Sequence, residues 1–383
     1  MKRSAGRYWA GYAAYLVGIA LLGGYALSLG WRTLDVYDFL KSDHRGFRGK
    51  IHRADSELGF SAVPGSRGFH VFAVGPPMPL HYSVDEFRVP AEDSGAPPRK
   101  RPFVLALGCS FTFGDGCAAE ETFPFLVAQG LDGTALNAGK SGYGLSQMLI
   151  LARRLIPRYR PDYVLVQFSP WLVGRGTSGF ARSRFGVIPV PYFTLDHGRV
   201  GVEPPCFQPK LFDLPFHRFD TPQRGWGELV SFSASAGVPL FVHDDVQMAA
   251  CQARRLAGGP AERGRRQAAD SGEEVNRIVY REIASICASN GATMVLVRLS
   301  HPLERHHQEM KDLYRDVVYV NAQEVLDAGI PEGDKDAYYR RFGLWRGTPP
   351  VLVDTHPNPA AHRIIATEIL RRLPRPRSGR TAG

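Results

Sequence analysis

The chain has 383 residues, 44% of them hydrophobic and 22% charged, with 41 glycines, 29 prolines and a formal net charge of +10. That length suits one large globular domain with appendages and excludes a single small module. The basic residues lie in small clusters (98–101, 153–160, 263–266 and 371–380) with no nucleic-acid reader motif, so no nucleic-acid partner is expected; anionic lipid headgroups or an acidic glycan fit a diffuse basic surface better.

Residues 8–31 carry no charged side chain, long enough to cross a bilayer, with Tyr8, Trp9 and Trp31 at the two ends. Lys2, Arg3 and Arg7 precede the run, which predicts a cytoplasmic stub and anchor over 1–32 with the rest of the chain extracytoplasmic. The apolar run is longer than that of a cleaved leader and has no clear small-x-small site, so a retained single-pass anchor in the cytoplasmic (inner) membrane is expected. Residues 33–100 read as an extracytoplasmic connector with strand-like pieces at 69–74 and 80–89, closed by a linker at 95–102.

From residue 101 strands and helices alternate. Apolar runs at 103–107, 135–139, 163–168, 293–299, 317–322 and 351–354 predict strands. Helical spacing predicts helices over 122–131, 145–159 and 273–291, and Asn358-Pro359 caps a last one. The alternation defines an α/β fold, a mostly parallel sheet covered on both faces in three α/β/α layers. The domain is expected to span 101–373, with an insertion over about 170–270 lying across one end of the sheet as a candidate lid, and a disordered tail at 374–383. Five cysteines show no metal-ligand spacing, and their odd number forbids full intramolecular pairing. Cys109 and Cys287 read as small buried hydrophobes.

Chemistry concentrates at two places. Ser110 follows the 103–107 strand within a glycine-bounded turn, and the carboxyl end of a central strand is where open α/β sheets place reactive groups. Asp354 precedes His356 by two residues on the loop into the last helix, so it can orient an imidazole that serves a distant nucleophile. His301, His306 and His307 lack carboxylate partners at ligand spacing; no metal and no cofactor are expected. His362 reads as a surface histidine, and Asn137 as a backbone-bonding residue of the loop.

Three segments resemble the SGNH (GDSL-type) hydrolase superfamily: GCSFTFGDG around Ser110 its first block, NAGKSGYGLSQM (137–148) its second, and DTHPNPAAHRIIA (354–366) its fifth, in the family's order. HRADSELGFSAVPGSRG and LHYSVDEFRV are similar to the lead-in of membrane-anchored members. The resemblance implies a Ser110–His356–Asp354 triad on a flavodoxin-like sheet, with the N–H groups of Ser110 and Gly139 as oxyanion donors. The family's third-block asparagine is missing from VLVQFSPWLVGR, leaving Ser169 or Trp171 as the third donor.

The expected function is therefore a membrane-anchored serine esterase acting on carboxylic esters, O-acetyl groups on a glycan included. Two alternatives stay open: an O-acyltransferase on an exported glycan with the same triad, and a non-catalytic glycan-binding or scaffold protein with a degenerate site. The aromatic and basic stretch 336–347 offers sugar-stacking faces.

Overall fold

Apolar runs of five or six residues form the parallel centre of one sheet, because each is covered by helices on both faces and has no wet side to alternate against. The computed structural model describes residues 2–41, 46–92, 100–183, 186–214, 225–257, 272–303 and 317–374. In chain order the sheet's strands are β1 (Gly46–Arg48), β2 (Arg67–Val71), β3 (Met78–Tyr82), β4 (Arg88–Val89), β5 (Phe103–Leu107), β6 (Thr134–Asn137), β7 (Tyr163–Phe168), β8 (Thr293–Arg298) and β9 (Val318–Asn321). Their spatial order is β1-β2-β3-β4-β6-β5-β7-β8-β9. The strands from β6 to β9 run parallel, and β1 to β4 add an antiparallel flank that joins at Arg88↔Asn137. Strand order reverses between β5 and β7, which opens a crevice at their carboxyl ends.

The helices relevant to the layers are α1 (Lys2–Lys41), α2 (Phe123–Gly130), α3 (Leu145–Tyr159), α4 (Glu273–Ser289) and α5 (Pro359–Arg372). Alternate residues of each parallel strand face opposite cores. Leu105, Val164, Val166 and Leu296 pack with α3 and α4, while Val104, Leu165, Val295 and Val297 pack with α2 and α5. The expected three-layer α/β/α fold is present. The 351–354 run departs from expectation: it is a strand, but it pairs antiparallel with Leu344–Arg346 outside the sheet.

The first helix runs on to Lys41, beyond the expected end at residue 32. From Tyr8 to Ser28 every residue except Gly18 is exposed, whereas Leu29, Val36, Tyr37, Phe39 and Leu40 are buried in the core cluster that includes α3 and α4. Four strands of the 33–100 segment likewise continue the main sheet, while His52–Asp55 and Gly59–Ala62 pair with each other as a separate hairpin. Residues 93–99, most of the expected linker, and 375–383 lie outside the described residues.

The 170–270 insertion comprises a helix (Pro170–Ser178), two hairpins (Phe180–Ser183 with Gly186–Pro189, Tyr192–Asp196 with Arg199–Glu203) and a long helical arm. The arm runs from Trp226 to Phe232, through a π turn at Ser233–Gly237, and on from Val238 to Ala257. Cys206 and Cys251 form a disulfide that ties the arm to the segment following the second hairpin; the remaining cysteines are buried. Among the described residues the arm packs on α1 rather than over Ser110.

Burying an aliphatic or phenyl side chain stabilises by about 1.5–3 kcal/mol. A fragment starting at residue 29 should therefore fold as the full chain does, whereas one starting at 46, lacking Val36, Phe39 and Leu40, should unfold at distinctly lower urea; circular dichroism on both fragments measures the difference.

Candidate active site

Three loops at the carboxyl ends of the strands meet. Ser110 Oγ lies 2.9 Å from His356 Nε2, and His356 Nδ1 lies 2.6 Å from Asp354 Oδ1, which also accepts the His356 backbone N–H at 2.9 Å. Residues separated by 246 positions thus form one continuous series. The adjoining cleft holds about 260 Å³ and is walled by Phe111, Trp171, Arg175, His301, Tyr338 and Tyr339 beside Ser110 and His356. A larger apolar cavity of about 390 Å³ lies behind the loop after β6 and meets this network through Ser141.

Local chemistry explains the turn that presents Ser110. Gly108 tolerates no Cβ, which would fall 2.0 Å from Thr112 Oγ1 and 2.6 Å from Gln167 Oε1. Gln167, the buried fifth residue of β7, accepts from the Cys109 N–H at 3.0 Å and from Thr112 Oγ1 at 2.8 Å, and donates to Ser169 Oγ at 2.8 Å. Arg88 of β4 is buried with its guanidinium over the Phe113 ring. It donates to the carbonyl oxygens of Phe113, Gly114 and Cys117. Asn137 donates to the Thr112 carbonyl at 3.0 Å, the backbone role expected of it.

A second carboxylate reaches the imidazole. Asp115 sits between Gly114 and Gly116, both with positive φ, in a reversal only glycine adopts easily. Its Oδ1 accepts from Ser141 Oγ at 2.6 Å, and its Oδ2 stands 3.8 Å from His356 Nε2. Burial pushes the His356 pKa down, but the hydrogen bond to Asp354 and the charges of Asp115 and Asp354 outweigh it and raise it to about 9. Burial pushes Asp354 up, yet the hydrogen bonds and charge of His356 win and hold it below the usual carboxylate range.

The expected residues fare differently. Ser110, His356 and Asp354 are brought together. The Ser110 N–H begins the short helix Ser110–Phe113, where first-turn N–H groups lack helical partners. Gly139 is corrected: its N–H donates to Asn137 Oδ1 at 3.0 Å, and a Cβ there would strike the Phe113 nitrogen at 2.7 Å, so it is packed under the turn. Ser169 is buried and is not part of the cleft lining, whereas Trp171 walls the cleft, its ring 5.3 Å from Phe111 and 4.7 Å from His301. His362 is also corrected. It is buried and stacked on Phe123, accepts the Phe123 N–H at 3.2 Å, and is pushed by burial down to about 3. His306 and His307 lie outside the described residues.

Sequence reasoning missed Gln167, Arg88 and Asp115. The two glycines around Asp115 were a usable signal. Nothing local marks Gln167 or Arg88, which act from strands remote in the chain.

No family model and no curated protein matches the chain. Solved structures similar to it include a protein assigned to the G-D-S-L family of lipolytic proteins from Desulfitobacterium hafniense DCB-2, at 11% identity over 71% of this chain and 100% of that one, TM-score 0.33. A catalytic mutant of Axe2, an acetylxylan esterase from Geobacillus stearothermophilus, matches at 13% identity over 72% and 94%, TM-score 0.34. TesA matches at 10% identity over 70% and 97%, TM-score 0.33.

Two outcomes follow from this geometry. Gln167→Leu leaves the buried Cys109 N–H and Thr112 hydroxyl unpaired and should cost about 1–3 kcal/mol each in urea unfolding. His356 gains basicity on folding, so its stabilising contribution is complete below the unfolded value of about 6.5 and is lost as pH rises through about 9. Imidazole NMR should find a histidine titrating near that upper value, and Asp115→Asn should lower it.

Proposed function

We propose that this chain is a membrane-anchored serine esterase of the SGNH (GDSL) type, cleaving carboxylic esters with Ser110 as nucleophile. The observation that carries the reading is the hydrogen-bonded series from Ser110 Oγ through the His356 ring to Asp354. Ser110 Oγ attacks the ester carbonyl carbon while its proton passes to Nε2. The bond to the leaving alcohol then breaks, and Nε2 returns the proton to the alcohol oxygen. Water repeats the sequence on the acyl-serine and releases the acid. Asp354 holds the tautomer with hydrogen on Nδ1 and stabilises the imidazolium. The carbonyl oxygen, which gains charge in the tetrahedral intermediate, is met by the Ser110 N–H. Trp171, the cleft-facing member of the two residues expected there, supplies an indole N–H in place of the missing asparagine.

The aromatic walls formed by Trp171, Tyr338 and Tyr339 suit an acyl group carried on a sugar, and small acyl esters such as O-acetyl fit a cleft of this size. The first helix is long and apolar enough to span a membrane, and the basic residues before it favour a cytoplasmic amino terminus. The Cys206–Cys251 disulfide supports an oxidising, extracytoplasmic compartment for the domain.

With His356 near 9, about one imidazole in a hundred is neutral at pH 7, so activity should climb with pH. On p-nitrophenyl acetate, the detergent-solubilised full chain should show kcat/KM rising toward pH 9, with the midpoint lower in Asp115→Asn. A fluorophosphonate should label Ser110 and not Ser110→Ala, and Asp354→Asn should lose roughly 10³–10⁴ in kcat. Activity unchanged in Ser110→Ala would overturn the reading; an added sugar that captures the acyl group would convert it to a transferase.

A further inference from the structure

The helical arm 226–257 carries an apolar stripe that nothing in the catalytic reading uses. Val242, Val246, Ala249, Ala253 and Leu256 recur at i, i+4, i+7, i+11 and i+14, the spacing of one helix face, and all are exposed. Val246 is 59% and Leu256 78% exposed, and Trp226 and Val230, nearer the arm's start, are 84% and 63% exposed. The opposite side of the arm faces the domain. Asp244 accepts the backbone N–H groups of Lys210 and Leu211, Cys251 is bonded to Cys206, and Arg255 lies over the rings of Phe180 and Tyr192.

The arm's height relative to α1 is set by a cluster of polar contacts. Asp245 accepts from Arg32 at 2.7 Å and from the Tyr25 hydroxyl at 3.1 Å, the Tyr37 hydroxyl donates to Glu228, and Arg32 stacks over Phe241. Those contacts stand where α1 leaves the domain. The exposed segment from Tyr8 to Ser28 amounts to about 31 Å of helix, the thickness of a hydrocarbon core, and Tyr25 near its domain end reaches the cluster. The arm therefore packs along α1 from Tyr37 to Tyr25 and reaches the domain end of the exposed segment, with its apolar stripe turned away from the domain.

We infer that the arm is an interfacial helix, whose Val242–Leu256 stripe lies in the outer boundary of the bilayer that α1 spans. The proposal rests on reading α1 as a membrane span. An amphipathic helix binds an interface by burying its apolar face at the headgroup–acyl boundary, with basic residues favouring anionic lipid. The exposed Arg254 near the end of the arm fits that chemistry. A second fixed contact besides α1 would hold the domain in one orientation over the membrane, where a single helix would leave it free to swivel.

Environment-sensitive nitrobenzoxadiazole labels test this. The native thiols do not compete, because Cys109, Cys117 and Cys287 are buried and the other two are bonded. The full chain is placed in nanodiscs of phosphatidylcholine and phosphatidylglycerol and labelled in turn at Leu21→Cys, Val246→Cys and Thr367→Cys. Thr367 is exposed on α5, across the sheet from α1. The expected result is blue-shifted emission at position 246 that is lost with lipids spin-labelled near the headgroup, loss at position 21 with lipids labelled deep in the chains, and neither effect at 367. Loss at 21 without loss at 246 overturns the interfacial arm while leaving the anchor intact, whether water or a second copy covers the stripe. No loss at either position overturns the anchor reading and the arm with it. Fluorophosphonate labelling of Ser110 in each variant, which does not depend on the arm, reports separately on the catalytic reading.

Discussion

The turn from Gly108 to Cys117 leaves the carboxyl end of the interior strand β5 without entering solvent, so its peptide groups must find partners inside the protein. Three side chains supply them from three directions. Gln167 binds the Cys109 N–H, Asn137 the Thr112 carbonyl, and Arg88 the carbonyls of Phe113, Gly114 and Cys117. Each comes from a different strand, so the position of Ser110 is a property of the assembled sheet. A neutral amide suffices where one N–H and one hydroxyl need an acceptor. A full positive charge is used where three carbonyl oxygens converge, and the Phe113 ring face beneath the guanidinium adds its own attraction. This also explains why β1 to β4 cannot be a mere tether: β4 carries the arginine that closes the turn.

The same turn delivers Asp115, and with it an electrostatic compromise. One carboxylate on Nδ1 orients the imidazole, and a second near Nε2 favours the protonated ring in which that nitrogen no longer accepts. In the proposed reaction, strong support for the imidazolium helps once the serine proton has moved and hinders before it moves. The Ser141 hydroxyl on Asp115 tempers that field, since it takes up one of the carboxylate's oxygens. The balance is set by a loop of two glycines around one acid, at the ring nitrogen that also meets Ser110.

The end of α1 is packed into the core cluster that includes α3 and α4, the insertion's arm is tied to α1 by Asp245 and to the segment following the second hairpin by a disulfide, and the cleft opens at the strand ends between Trp171 and the tyrosines of 335–342. The insertion is thus divided in use. Its first helix furnishes a wall of the cleft, and its later part serves the helix that precedes the domain.

Much of the local structure was legible from residue order. Runs 103–107 and 163–168 and the helix 145–159 are where periodicity puts them, because buried strands need unbroken apolar residues and a helix against a sheet needs a 3.6-residue stripe. The pairing of Ser110 with Asp354 and His356 was readable as well, since their chemistry and loop positions are local signals. What residue order left open were partners across space: Gly139 looks the same whether its N–H meets a substrate or Asn137, and His362 the same whether solvent or Phe123 covers it. The strand at 351–354 likewise matches a core strand in composition yet pairs outside the sheet. Local sequence determined which segments are helix, strand and loop, because those depend on near neighbours. Only the tertiary structure decided which polar groups meet, because a hydrogen bond is settled within a few ångströms between residues that the chain itself holds far apart.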